Sequence, residues 1–296
     1  MSILLALALQ VGPNPTGGAL QGDDLVRDRP ARTAPSESPQ AEEAPLNPTS
    51  AWLAGCLAQI EEDPARANSM AQIRRTETTG ADRVLANHCL GTAASELGLW
   101  SDARAAFVAA RDETPEAEPR ARARFAALAG NAALAGGDAA GALELLTLAE
   151  ADARTAKAAL LEAIAASDRA RALVALGRGD EALAALENST ALAPERAEGW
   201  LLKATLLRRM EKLAEAQTAI ERAAGLAPAN PAVGLEAGVI AVLGGRDDAA
   251  RASWQSVIDL APGTPEAATA TDYLAQLGQA GDNAAAPPPP QETPQS

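Results

Sequence analysis

The sequence predicts an all-α protein built as an array of antiparallel helix hairpins, with disordered segments at both ends. The first observation is composition: 47% of the residues are hydrophobic but only 2% are aromatic, and alanine recurs in nearly every window. Small side chains suit closely packed helices, whereas a β-sandwich or barrel needs more β-branched and aromatic residues. The second observation is a period, because Pro194, Pro228 and Pro262 are spaced by 34 residues.

The N-terminal segment differs from the rest of the chain. Residues Met1 to Gln10 are apolar, of a length near the lower limit for a signal-peptide core and too short to span a bilayer, although no Lys or Arg precedes them. Residues 11–49 are rich in Pro, Gly, Ser and Asp, which predicts a disordered linker. We therefore expect a periplasmic or secreted protein, with a cytoplasmic location as the alternative.

A pair of flanking helices is predicted over residues 50–76. Ser50 is a suitable N-cap for the first helix, and Asp63 with Pro64 is typical of an N-cap and first-turn proline that open the second.

The same offsets between an alanine, a bulky apolar residue and a proline recur four times along the chain. The sets are Ala103, Phe107, Pro115; Ala182, Leu186, Pro194; Ala216, Ile220, Pro228; and Ala250, Trp254, Pro262. Small residues let the two helices of a hairpin touch, the bulky residue fills the space between them, and the proline ends the second helix. A further hairpin fits without the proline. The predicted repeats are 84–117, 123–156, 163–196, 197–230 and 231–264.

This pattern resembles the tetratricopeptide repeat (TPR) family, W-x2-L-G-x2-Y, then A-x3-F, then P. The resemblance implies a right-handed superhelical solenoid that binds a peptide or protein segment on a concave face lined by the first helix of each repeat. Because solenoids need capped ends, residues 265–279 are predicted to form a closing helix. Residues 280–296, with prolines from Pro287 to Pro290, are predicted to be a disordered tail.

Carrying the concave positions of that family onto this chain gives a set of candidate partner-binding residues. Arginine binds carboxylates through two hydrogen bonds, so an acidic or carboxylate-bearing segment with apolar anchors is the expected ligand. The alternative is that the arginines are present only as good helix formers. The candidates are Arg124, Asn131, Arg171, Leu201, Arg208, Arg209, Leu235 and Val239.

Charge and motifs argue against other functions. The formal net charge of −14 repels nucleic acid. The chain has one histidine, His88, whose neighbour Cys89 points about 100° away on a helix, so the two cannot act together as nucleophile and base. Multi-histidine metal sites are excluded, and no GxxxxGK[ST] phosphate loop occurs. We expect no catalytic residue, metal or cofactor.

The two cysteines lie about one repeat apart, Cys56 on a flanking helix and Cys89 on the first helix of the first repeat. Equivalent helices of adjacent repeats are neighbours, so a Cys56–Cys89 disulfide is geometrically possible. Two buried thiols used as small apolar side chains are the alternative.

Two functions from different classes remain. One is a non-catalytic scaffold of the bacterial cell envelope that binds a peptide or protein segment in its groove. The other is a structural or assembly module whose groove is filled by its own closing helix or tail.

Overall fold

The fold consists of helices alone. A computed structural model describes residues 48–285, which contain thirteen helices and no strand. The predictions made for residues 1–10, for most of the linker and for the end of the tail lie outside this range. No helix of the described part is long and apolar enough to cross a membrane.

Packing divides the described residues into two compact units that meet in the chain at Ala193 and Pro194. The N-terminal unit contains α1 to α8 and the C-terminal unit contains α9 to α13. In chain order they are α1 (Pro48–Glu62), α2 (Pro64–Glu77), α3 (Ala81–Glu96), α4 (Trp100–Glu113), α5 (Pro119–Ala135), α6 (Ala139–Thr155), α7 (Ala159–Ala175), α8 (Gly179–Leu192), α9 (Ala197–Arg209), α10 (Leu213–Leu226), α11 (Pro231–Leu243), α12 (Asp247–Leu260) and α13 (Pro265–Ala285).

Helices α1 and α2 form the flanking pair. Helix α1 begins at Pro48 rather than after Ser50, because proline is well tolerated in a first turn, where its missing N–H has no helical partner. Asp63 caps α2, its carboxylate accepting from the backbone N–H of Arg66 at 3.0 Å. A disulfide joins Cys56 of α1 to Cys89 of α3, with Cα atoms 6.3 Å apart. This bond attaches the flanking pair to the first repeat.

Within the repeats, a bulky residue of the second helix packs directly on a small residue of the first. A Cβ at Gly91 would lie 2.6 Å from the Phe107 ring, and one at Gly130 would lie 2.6 Å from Leu146. Phe107 is 2% exposed, so the prediction that it fills its hairpin is confirmed. The glycines are required because any side chain there would push the two helices apart.

The C-terminal unit repeats this arrangement and adds a closing helix. Trp254 is 1% exposed, and a Cβ at Gly238 would clash with its indole. The indole Nε1 donates to the carbonyl of Leu235 at 3.1 Å, so its polar group is satisfied in the core. On its other side Trp254 meets the Tyr273 ring of α13, with centroids 5.2 Å apart.

Glycines make the turns inside most of the hairpins, whereas Glu211 takes the left-handed position between α9 and α10. Gly98 and Gly177 lie at φ 70° and 73°, in the left-handed region that side chains disfavour. The second helices α8, α10 and α12 end two residues before Pro194, Pro228 and Pro262, as the period predicts.

The irregular spacing in the middle of the chain arises from longer helices. Helices α5, α6 and α7 have 17 residues each, whereas α9 and α11 have 13 and α10 has 14. The extra turns begin at Pro119 and Ala159, before the predicted repeat starts. They fall in the two gaps that the predicted repeats leave, residues 118–122 and 157–162.

The closing helix α13 is longer than predicted. It ends at Ala285, beyond the expected boundary at residue 279. Gly281 does not interrupt it, because a single glycine costs only about 1 kcal/mol in a helix, and the alanines that follow favour helix until the prolines that begin at Pro287.

Candidate functional site

The candidate residues lie on the first helices of the hairpins. In the N-terminal unit these are α3, α5 and α7, and in the C-terminal unit α9 and α11. We call the surfaces that these helices form the first-helix face of each unit. The two faces are described separately.

In the N-terminal unit, the first-helix face begins where α3 and α5 meet through aromatic contacts. His88 of α3 packs edge-on against Phe125 of α5, with ring centroids 5.4 Å apart. Arg124, the residue immediately before Phe125, is exposed. Burial and the neighbouring Arg124 charge lower the pKa of His88 to about 4, because both disfavour the imidazolium. The imidazole is therefore neutral at pH 7.

Further along the same face, a buried carboxylate joins α5 to α7. Asn131 donates to one oxygen of Asp168 at 2.9 Å, and Arg171 donates to the other at 3.3 Å. The Asp168 side chain is only 4% exposed, whereas Arg171 retains 20% exposure. The candidates Asn131 and Arg171 thus meet on one carboxylate, and Asp168 partly balances the Arg171 charge from within the protein.

In the C-terminal unit, the two consecutive arginines separate in role. Arg208 is buried and donates to Glu236 of α11, with Nε 2.6 Å from Oε1. Arg209 is exposed and Leu201, two turns earlier on α9, is half-buried. The sequence placed Arg208 on a binding face, but the structure places it inside. The reason is the carboxylate that α11 puts against it. Arg209 is the arginine that remains open to solvent.

The buried pair is strongly desolvated. Burial raises the pKa of the Glu236 carboxyl above its ordinary value, and the Arg208 guanidinium opposes that shift. Removing one partner of such a pair leaves a charge buried alone, which costs about 3 to 5 kcal/mol. Arg208 and Glu236 therefore act together in linking α9 to α11.

Leu235 and Val239 also lie in the interior. They are 9% and 2% exposed and belong to a cluster with Trp254 of α12 and Tyr273 and Leu277 of α13. The sequence predicted that Leu235 and Val239 form an open apolar end of the binding face. The closing helix covers that end instead, because a terminal repeat must bury its apolar side.

Sequence reasoning missed the acidic residues that balance these arginines. Asp168 and Glu236 are visible in the sequence on the first helices, but the helical period shows only the side of a helix on which a residue lies. It does not show what the next helix places opposite. The missed aromatic contact of His88 has the same cause, since Phe125 belongs to the following repeat.

The described residues contain no cluster of His, Cys, Asp and Glu that could hold a metal ion. The larger of two surface depressions follows the Gly245 turn, is lined by Arg246 and Asp247 among others, and is wide open to solvent.

Comparison with known proteins agrees with the repeat pattern. The tetratricopeptide repeat family matches residues 167–231 and 201–265, and no curated protein matches the chain. Among solved structures, PilF of Pseudomonas aeruginosa superposes with a TM-score of 0.58 at 14% identity, over 77% of this chain and 97% of PilF. Yeast Tom70 gives 0.60 at 16% identity, over 81% of this chain and 48% of Tom70.

At these identities the superpositions show the fold alone. The family match adds the repeat signature itself over residues 167–265, and the glycine and proline positions continue it through the N-terminal unit. Residues 167–265 therefore match the tetratricopeptide repeat family, and the described helices share the helix-hairpin fold of tetratricopeptide repeat proteins.

Proposed function

We propose that this protein is a non-catalytic scaffold of the bacterial cell envelope that binds a peptide or protein segment on its first-helix faces. A tetratricopeptide repeat fold is consistent with protein–protein interaction. The observation that carries the proposal is that Arg124 and Arg209 are exposed on first helices of a chain whose net charge is −14. Half-buried Asn131, Arg171 and Leu201 accompany them.

The ligand chemistry follows from these side chains. Exposed guanidinium groups favour an acidic or carboxylate-bearing segment, and Leu201 favours an apolar anchor within it. Each charge-assisted contact contributes about 1.5 to 3 kcal/mol where binding excludes water, and less where the pair stays exposed. Binding should therefore weaken as salt rises.

The compartment is inferred from the disulfide. Both Cys56 and Cys89 are buried, and such bonds persist in oxidising compartments but are rare in the cytosol. Mass spectrometry of protein alkylated within cells tests this. An oxidised pair supports an envelope location, and two alkylated thiols would contradict it.

Charge reversal tests the binding face. Arg124→Glu should reduce the amount of partner retained from envelope extract by at least several-fold. The matched control is Arg66→Glu, the same charge change at an exposed position of α2 away from the first-helix face. Equal loss for both variants would mean that only net charge matters, and retention unchanged in both would refute a binding role for the face.

The packing of α13 favours a second candidate. Since the closing helix covers Leu235 and Val239, the protein could instead be an assembly module that fills its own binding surface. In that case a chain ending at Gly263, which lacks α13, should retain more partner than a chain ending at Ala285, which keeps it. Equal retention favours the scaffold.

A further inference from the structure

The side chain of His88 lies half-buried on the first-helix face of the N-terminal unit. Its ring contacts Phe125 edge-on at 5.4 Å and lies 6.5 Å from Phe107. Among the described residues, no side chain or backbone group forms a hydrogen bond with its ring nitrogens. A neutral imidazole carries one donor and one acceptor, so His88 can still bind a polar group from outside.

Several charged groups on the helices around His88 are already bonded within the protein. On α2, Arg74 pairs with Asp82 of α3, and on α4, Glu113 pairs with Arg83. On α5, Arg122 donates to the backbone carbonyls of Arg111 and Thr114. In addition to burial, the positive charge of Arg124 lowers the pKa of His88. Arg120, one turn earlier, is exposed on the same side of α5.

These groups form a corner with excess positive charge and an open hydrogen-bonding ring. We propose that His88, held by its ring contact with Phe125, and Arg124 form a subsite for one carboxylate of a bound segment, and that filling it is coupled to uptake of one proton by His88. This inference rests on the proposed function, since it names one contact of the bound segment.

The coupling follows from the charges. In the free protein, Arg124 and burial both oppose the imidazolium. A bound carboxylate neutralises the effect of Arg124 and accepts a hydrogen bond from the protonated ring, so it favours the charged form. The proton comes from solvent. The carboxylate then lies between two cations, which is a more favourable place for it than beside Arg124 alone.

The size of the effect can be stated through linkage. If the carboxylate raises the pKa of His88 from about 4 to about 6, binding at pH 5 is about tenfold tighter than at pH 7. Glutamate side chains, with a pKa of about 4.3, remain largely ionised across that range. Loss of ligand charge therefore does not mask the change.

Because His88 is the single histidine of the chain, its imidazole signals can be followed by NMR in the full-length protein. The probe is an acetylated, amidated peptide of alternating glutamate and leucine, compared with its glutamine counterpart. The glutamate peptide should raise the pKa of His88 by more than one unit and bind about tenfold more tightly at pH 5 than at pH 7. The glutamine peptide should do neither.

Variants separate the subsite from general electrostatics. Arg124→Gln should raise the pKa of His88 in the free protein and remove most of the additional rise caused by the peptide, while Arg66→Gln should change neither. If the glutamate peptide binds with equal affinity at both pH values and leaves His88 unmoved, the subsite is wrong while the scaffold proposal stands. If the glutamate peptide does not bind at millimolar concentration, the subsite is also refuted, and retention of partner by Arg124→Glu still decides the scaffold.

Discussion

At the scale of single residues, the hairpins depend on a bulky side chain placed against a residue that has no side chain of its own. Trp254 against Gly238 and Phe107 against Gly91 are the clearest pairs. In an alanine-rich core with few aromatic residues, each of these rings supplies an unusually large share of the contact within its repeat. Its loss cannot be compensated by alanine neighbours.

Replacing Trp254 with alanine should lower the free energy of unfolding by about 3 to 5 kcal/mol, because it leaves a cavity between α11 and α12. Urea denaturation measures this. The control is Leu260→Ala on the same helix, where the side chain is 59% exposed and the expected loss is under about 0.5 kcal/mol. A loss below about 1 kcal/mol for Trp254 would contradict the packing described for this hairpin.

His88 should make stability depend on pH. The pKa of His88 is about 4 in the folded protein, against 6.5 for an ordinary histidine such as that of the unfolded chain. As pH falls from about 6.5 to 4, the unfolded chain therefore binds a proton at this position before the folded protein does. The unfolded state is thereby favoured, and the free energy of unfolding should fall by up to about 3 kcal/mol over that window. Above pH 6.5 the effect is absent.

The measurement compares the wild type with His88→Gln, because carboxylates titrate in both. The difference between the two proteins should change across pH 6.5 to 4, with the wild type losing more stability. A constant difference would mean that the folded state does not hold His88 neutral.

At the scale of helices, much of the architecture follows from the sequence because it is periodic. The prolines, turn glycines and small-residue positions predict which helices pair. Helix lengths were harder to predict. Helices α5 and α7 begin before their predicted repeats do, and the added residues are compatible with either a helix or a loop. The binding face was predicted least well. Arg208 faces inward because it pairs with Glu236 of the next first helix. The two residues are 28 positions apart in sequence, so no local pattern predicts their contact.

The Arg208–Glu236 pair should behave as one unit. Arg208→Leu or Glu236→Leu alone should cost about 3 to 5 kcal/mol, whereas replacing both residues with leucine should cost much less, because no buried charge is then left alone. Denaturation of the two single variants and the double variant gives the coupling between them. Arg209→Leu is the exposed neighbour control, and equal losses at both arginines would show that Arg208 is not buried with Glu236.

At the scale of the whole molecule, a repeat array is stabilised mainly by contacts between neighbouring elements, and its ends need covers. The disulfide-linked pair α1 and α2 covers the first repeat. Helix α13 covers the last one, through the cluster that contains Trp254, Tyr273 and Leu277. The two covers differ in kind, because one is held covalently and the other by apolar packing.

A chain that ends at Gly263, and so lacks α13, should therefore lose stability first in α11 and α12. Their apolar side, including Val239 and Trp254, would be exposed to water, whereas the disulfide-linked first repeat has no contact to lose. Hydrogen exchange resolved by segment measures this, since local opening is reported helix by helix. Protection should fall by at least tenfold in α11 and α12 and stay within about threefold in α3 and α4. The matched control ends at Ala285, which keeps α13 whole and should leave both regions unchanged. Uniform loss along the chain would instead mean that the array unfolds as a single cooperative body rather than by nearest-neighbour coupling.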